Sequence, residues 1–359
     1  MSAAHTVVDL DDTDGLADAD RDGLLRAAAM AGAQVRATAA AIDEGALSAL
    51  AGLQRPRTVV WVGGRGAAEA AGAMLGAAMS GSAGEPLVLA ADSPPWIGPL
   101  DVLIVAGDDP ADPVLVNAAA TAVRRGASVV AAAPYAGPLR DATAGRAAVL
   151  EPRLWVPDDF GLCRYLAAGL ATLAAVDPGV PADLSALADE LDAEALRNGI
   201  KREVFTNPAK ALAGRMAGRS VVLAGDCPAT RALARHGAAV LLRVAGQTVA
   251  AVGLADVIIA LRSGGLAAQA AGTVDTLFHD EEIDGPLPGR HRVVALSLTA
   301  ERPVLSARVA GLEDIDLLGA EDTGEADAGP ATEGRVEQQL AVLALRLEMA
   351  AVYLRLASG

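Results

Sequence analysis

The chain has 359 residues, 52% of them hydrophobic and only 3% aromatic, which is enough to bury a large core built from Ala, Val and Leu. A formal net charge of -16 argues against nucleic acid or an acidic membrane surface as a partner. Two cysteines, Cys163 and Cys227, make no disulfide framework.

The first residues show no basic region followed by an apolar run, so no signal peptide is expected. The longest apolar stretch, 336–356, is interrupted by Glu337, Arg346, Glu348 and Arg355 and does not read as a membrane span. A soluble, cytoplasmic protein is expected. Residues 9–22 carry seven aspartates, from Asp9 to Asp22, at a spacing that does not fit a calcium loop. They read as a solvated, helix-capping segment. The Ala-rich stretch 24–53 reads as helical, punctuated by Gly32, Gly45 and Gly52.

An α/β domain follows. Apolar, β-branched runs predict strands at 58–62, 87–90, 101–106, 127–133 and 147–150, with helices between them, including 113–125. Helices are predicted at 160–176 and 181–196. Asn207-Pro208-Ala209-Lys210 opens a second domain with a helix to 217. Strands are predicted there at 220–224, 238–242, 256–261, 292–298 and 314–318, with a short helix at 229–236. The acidic, Gly- and Ala-rich run 319–334 predicts a mobile loop, and 336–356 a closing helix. The halves read as copies of one layout: 100–109 matches 255–265, and 126–134 matches 291–299. The expected domains are 1–190 and 191–359, each a parallel sheet flanked by helices in three αβα layers.

Strand, glycine turn and helix at 57–80 form the unit around which the rest is organised. Gly63, Gly64 and Gly66 let the backbone turn sharply and approach a ligand. Amides of the following helix suit a phosphate, and Arg65 adds positive charge. The turn is neither a dinucleotide fingerprint nor a Walker loop. Gly107 and Asp108 follow the 101–106 strand at the same sheet edge, as an N-cap and turn or as a binder of sugar hydroxyls. Ser263, in a Gly-rich turn, is a further phosphate candidate. His279, Glu281 and Glu282 form the densest polar cluster, fit for acid–base work on a sugar. No second histidine at ligand spacing accompanies them, so no metal is expected.

These pieces resemble the sugar isomerase (SIS) fold, and more narrowly the bifunctional phosphoglucose/phosphomannose isomerase family in a divergent, TobH-like branch. The resemblance rests on Trp61-Val62-Gly63-Gly64-Arg65-Gly66, on 207–213 and on 351–355. It implies two tandem SIS domains, a homodimer, a hexose 6-phosphate substrate, aldose–ketose isomerisation between glucose or mannose 6-phosphate and fructose 6-phosphate, and no cofactor. It also implies that His279 opens the ring and that Glu281 or Glu282 is the base. The chain departs from the family in four places, one of them the absence of the family's late lysine after Tyr353. In the other three, Arg65 stands where the family has Ser, 106–109 lacks the hydroxyls of the family's second phosphate loop, and 242–249 lacks its catalytic glutamate. A non-catalytic sugar-phosphate-binding partner protein is therefore the alternative reading.

Overall fold

The structure is a computed structural model, and it describes residues 8–53, 55–264, 291–323 and 334–358. Backbone contacts divide the chain into two units. The N-terminal unit comprises Asp22–Leu196 with Arg335–Leu345, and the C-terminal unit Met1–Arg21, Arg197–Gly334 and Arg346–Gly359.

The chain begins with α1 (Thr13–Ala19), capped by Asp12, which accepts the Gly15 N–H. Asp9 accepts the Asp11 N–H at 2.8 Å and Asp11 the Val204 N–H at 2.7 Å, so these aspartates serve caps and turns. The Ala-rich region is broken into α2 (Leu24–Ala28) and α3 (Ala31–Asp43). Then come β1 (Thr58–Gly63), α4 (Ala67–Met79), β2 (Leu87–Leu89), β3 (Asp101–Ala106), α5 (Pro113–Arg124), β4 (Ser128–Ala132), α6 (Gly137–Thr143) and β5 (Ala148–Val149). Helices α7 (Leu162–Val176) and α8 (Leu184–Arg197) follow. The strands form one parallel sheet in the order β2-β1-β3-β4-β5.

Parallel strands covered on both faces read as continuous apolar runs, and β3 is buried throughout. Val60, Val62, Leu103, Val105, Val129 and Ala131 pack with Leu115, Ala118, Ala119 and Ala122 of α5. Trp61, 2% exposed, points to the other face and donates its Nε1–H to the Ala68 carbonyl at 3.1 Å. Two glycines make room for it. A Cβ at Gly72 of α4 would lie 2.4 Å from the indole, and one at Gly169 of α7 would lie 3.0 Å from it.

The C-terminal unit continues with α9 (Pro208–Met216), β6 (Ser220–Gly225), α10 (Pro228–Ala245), β7 (Ala250–Gly253), α11 (Leu254–Arg262), β8 (His291–Leu296), α12 (Arg302–Val309) and β9 (Ile315–Leu318). The chain closes with α13 (Val336–Ser358), whose residues are shared between the units. The second sheet is parallel, in the order β7-β6-β8-β9. On one face Val222, Ala224, Val293 and Ala295 pack with Leu254, Val257 and Ile258 of α11 and Leu305 of α12. Across α10 and α13, the buried His236 Nε2 lies 2.9 Å from Glu348 Oε1. Lys210, fully buried, donates to the Ile200 and Arg202 carbonyls at 2.8 Å each.

Three expectations for this unit are corrected. Residues 238–242 are not a strand but the second half of α10, because burial at Leu233, His236, Gly237, Val240, Leu241 and Val244 repeats at helical spacing. Residues 256–261 are not a strand but α11, for the same reason at Leu254, Val257 and Ile258. The strand in this region is β7, whose small residues give little apolar signal. The matched segments therefore shift by one element. β8 lies next to β6 as β3 lies next to β1, so 291–299 corresponds to 101–109 rather than to 126–134. No described helix is long and apolar enough to cross a membrane.

Gly72→Ala should destabilise the protein. Alanine gains about 1 kcal/mol of helix propensity, but a methyl against the fixed indole costs about 1–3 kcal/mol. Urea unfolding should show a lower midpoint; an unchanged or higher one would mean that Trp61 has room to move.

Candidate functional site

Parallel α/β sheets bind ligands beyond the carboxyl ends of their strands, where turns lead into helix N-termini. In the N-terminal unit that edge carries Gly63–Gly66 after β1 and Gly107–Asp112 after β3. The ladder ends with Gly63 beside Ala106. Gly64 then donates its N–H to the Ala106 carbonyl at 2.7 Å, and Gly107 donates to the Ala132 carbonyl at 3.4 Å. Both glycine amides are thus engaged with the sheet. A Cβ on Gly64 would lie 3.5 Å from Gly107 Cα, so the two turns abut through bare backbone.

The donors left are those of α4. Its N-cap, Gly66, has φ 76° and ψ -126°, a conformation that glycine tolerates and other residues rarely adopt. It offers no side chain to the first-turn amides, which are therefore open to an anion. Arg65, between the glycines, is exposed and forms no ion pair with a described residue. Helix α5 differs. Asp112 accepts the Val114 N–H and Asp109 accepts the Ala111 N–H, each through Oδ1, so that N-terminus already holds two carboxylates of its own. Asp108 is exposed beside them. The open helix N-terminus at this edge is therefore that of α4, and Asp108 presents an exposed carboxylate.

Arg164, in the first turn of α7, was not singled out by the sequence reading, yet it reaches this edge. Its Nη1 lies 3.4 Å from the carbonyl of Ala132, the residue that ends β4. Its Cζ lies 4.0 Å from the centre of the Tyr165 ring. Tyr165 is fully buried and donates its hydroxyl to Asp158 Oδ1 at 2.9 Å. Burial pushes the phenol well above its ordinary range; Arg164 opposes this, and Asp158 and Asp108 add to it. The available signal was a lone arginine inside an otherwise uncharged helix, LCRYLAAGLATLAAV.

The remaining sequence candidates lie elsewhere. Ser263 is the C-cap of α11 in the C-terminal unit, and its hydroxyl donates to the Ala260 carbonyl at 3.1 Å. A helix C-terminus presents carbonyls and disfavours an anion. His279, Glu281 and Glu282 lie outside the described residues. The carboxyl edge of the second sheet is closed differently. Cys227 caps α10 in a reciprocal box with Thr230, and Arg308 holds Asp226 at 2.6 Å. Among the described residues, no group of three or more His, Cys, Asp or Glu is placed to hold a metal.

No family model and no curated protein sequence matches the chain. Solved structures do. A protein from Silicibacter pomeroyi assigned as a phosphosugar isomerase aligns with a TM-score of 0.60 at 16% identity, over 93% of this chain and 97% of that one. Tagatose-6-phosphate ketose/aldose isomerase from Escherichia coli aligns with a TM-score of 0.59 at 15% identity, over 99% and 96%. The C-terminal domain of glucosamine-fructose-6-phosphate aminotransferase from Francisella tularensis aligns with a TM-score of 0.53 at 10% identity, over 91% and 95%. The chain has the α/β fold of the SIS-domain proteins over nearly its whole length.

The Tyr165 phenol gives a signed prediction. Its folded-state pKa is raised, so below about pH 10 it is neutral in both folded and unfolded chains and its contribution is intact. Above that, the unfolded chain ionises first and stability falls as pH rises. Tyr165→Phe should flatten this alkaline loss in urea titrations between about pH 9.5 and 11. An identical slope would show that the phenol is not shielded.

Proposed function

We propose that the protein binds a phosphosugar at the carboxyl edge of the first sheet and interconverts its aldose and ketose forms. The observation that carries the reading is the uncapped N-terminus of α4, with Gly66 as N-cap and beside it the exposed Arg65, which forms no ion pair with a described residue. The phosphate sits on the first-turn amides of α4 with Arg65. Asp108 accepts hydrogen bonds from sugar hydroxyls. The structurally similar proteins act, by name, on tagatose 6-phosphate or in glucosamine–fructose 6-phosphate chemistry, which fits a hexose 6-phosphate ligand.

For the chemistry, His279 opens the ring, and Glu281 or Glu282 is the base. The base takes the C2 proton of the open-chain aldose and returns it to C1 through an enediol, while a hydroxyl proton passes from O2 to O1. Substrates are glucose and mannose 6-phosphates, the product is fructose 6-phosphate, and the working form is a cytoplasmic homodimer. No cofactor takes part.

A second reading, a phosphosugar-binding protein without turnover, is favoured by the turn after β3. Its aspartates occupy the α5 N-terminus and it has no hydroxyl between Gly107 and Asp112.

Proton NMR of the protein with each hexose 6-phosphate in deuterated water separates the two. Deuterium entering at C2 with product formation, abolished in His279→Ala and Glu281→Ala, is the result expected of an isomerase. Ligand line broadening without exchange supports the second reading. Neither signal with any of the three sugars would rule out both.

A further inference from the structure

Arg164 is a buried charge with few partners among the described residues. Only 9% exposed, it makes one long hydrogen bond to a described residue, to the Ala132 carbonyl at 3.4 Å, and forms no ion pair with a described residue. Two fully buried cations, Lys210 and Arg346, are better satisfied. Lys210 has two carbonyls at 2.8 Å, and Arg346 has the Gly319 and Ala320 carbonyls at 2.9 Å and 3.1 Å. Stacking on Tyr165 places the guanidinium plane but does not neutralise it. A guanidinium removed from water with so few partners is costly, and Met or Leu would fill the same helix position at no such cost.

Its position explains why it is there. The Ala132 carbonyl that Arg164 approaches is the one to which Gly107 also donates, so the guanidinium lies at the carboxyl edge of β4, against the turn that opens with Gly107. Asp108, on that turn, and Asp158 both act on the Tyr165 phenol, which also feels Arg164. Neither carboxylate pairs with the arginine among the described residues. The edge thus combines a forked cation with the exposed carboxylate of Asp108, an arrangement suited to a ligand that carries one anionic group and hydroxyls.

We propose that Arg164 is an anion-binding residue of the N-terminal unit, seating the phosphate of a phosphorylated polyol through its planar fork. This rests on the phosphosugar reading above and adds to it a residue that neither the glycine turn nor the resemblance assigns. The first-turn amides of α4, after β1, and the Arg164 guanidinium, at the carboxyl end of β4, then approach the phosphate.

The test is calorimetric titration of the full chain with fructose 6-phosphate, inorganic phosphate and fructose, together with thermal unfolding of the ligand-free protein. Wild type, Arg164→Met, Arg164→Lys and Arg65→Gln are compared. Arg164→Met should weaken fructose 6-phosphate and inorganic phosphate about tenfold or more. Ligand-free Arg164→Met should melt at or above the wild-type temperature, because an uncompensated buried charge has gone. Arg164→Lys keeps the charge but not the fork and should bind with intermediate affinity. A lowered melting temperature with unchanged affinity would show that Arg164 only props up Ala132 and Tyr165, and would overturn the proposal while leaving the phosphosugar reading in place. Arg164-dependent binding of inorganic phosphate without binding of fructose 6-phosphate would uphold Arg164 and remove the sugar. Wild type binding neither phosphate compound would end both. If Arg164→Met does not fold, loss of affinity in Arg164→Lys decides the matter, with unchanged affinity there counting against the fork.

Discussion

The hydrogen bond from Gly64 N–H to the Ala106 carbonyl, at 2.7 Å, sets the chemistry of the first sheet's edge. It carries the β1–β3 pairing one residue past the strands, so the chain has to turn at Arg65 and Gly66. That turn requires the positive φ of Gly66, and Gly66 has no side chain with which to cap α4. The open amides follow from the turn. The two glycines also let the turns after β1 and β3 abut, since side chains at Gly64 and Gly107 would intervene between them.

The second sheet shows what the same frame does with other residues. Asp226 stands where Gly64 does, one step past the central strand, and Ser297 stands where Gly107 does, with its N–H on the Leu318 carbonyl. Asp226 takes up Arg308, Cys227 and Thr230 close the α10 N-terminus, and the edge becomes internally satisfied. Ser297 is the exception, a fully buried hydroxyl with no hydrogen-bond partner among the described residues. Shared topology has therefore produced one edge with open donors and one that is largely closed. The difference lies in a few turn residues rather than in the strands, as expected where function sits in sites carried by a fold.

Legibility in the sequence followed burial. The first sheet was readable because its inner strands β1 and β3 are buried on both faces and carry apolar runs at 59–62 and 102–106. The second half misled because α10 and α11 also contain runs of Ala, Val, Leu and Ile, and a short apolar run does not distinguish a strand from a buried helix. β7, built from Ala, Val and Gly, lacked the signal that the helices overstated. In the site, Gly63, Gly64, Arg65 and Gly66 were visible as punctuation after a strand. Which amides stay free was not visible, because that depends on Gly64 and Gly107 donating to carbonyls on neighbouring strands. Arg164 escaped notice because it is remote in sequence from both turns and reaches the edge only once α7 packs on the sheet.

The most direct measurement is an amide chemical-shift map of isotope-labelled protein titrated with fructose 6-phosphate. The largest changes are expected at Arg65, Gly66, Ala67 and Ala68, with smaller ones at Gly107 and Asp108 and none at Cys227–Thr230. Changes centred on the α10 N-terminus, or confined to the amino ends of the strands, would contradict it.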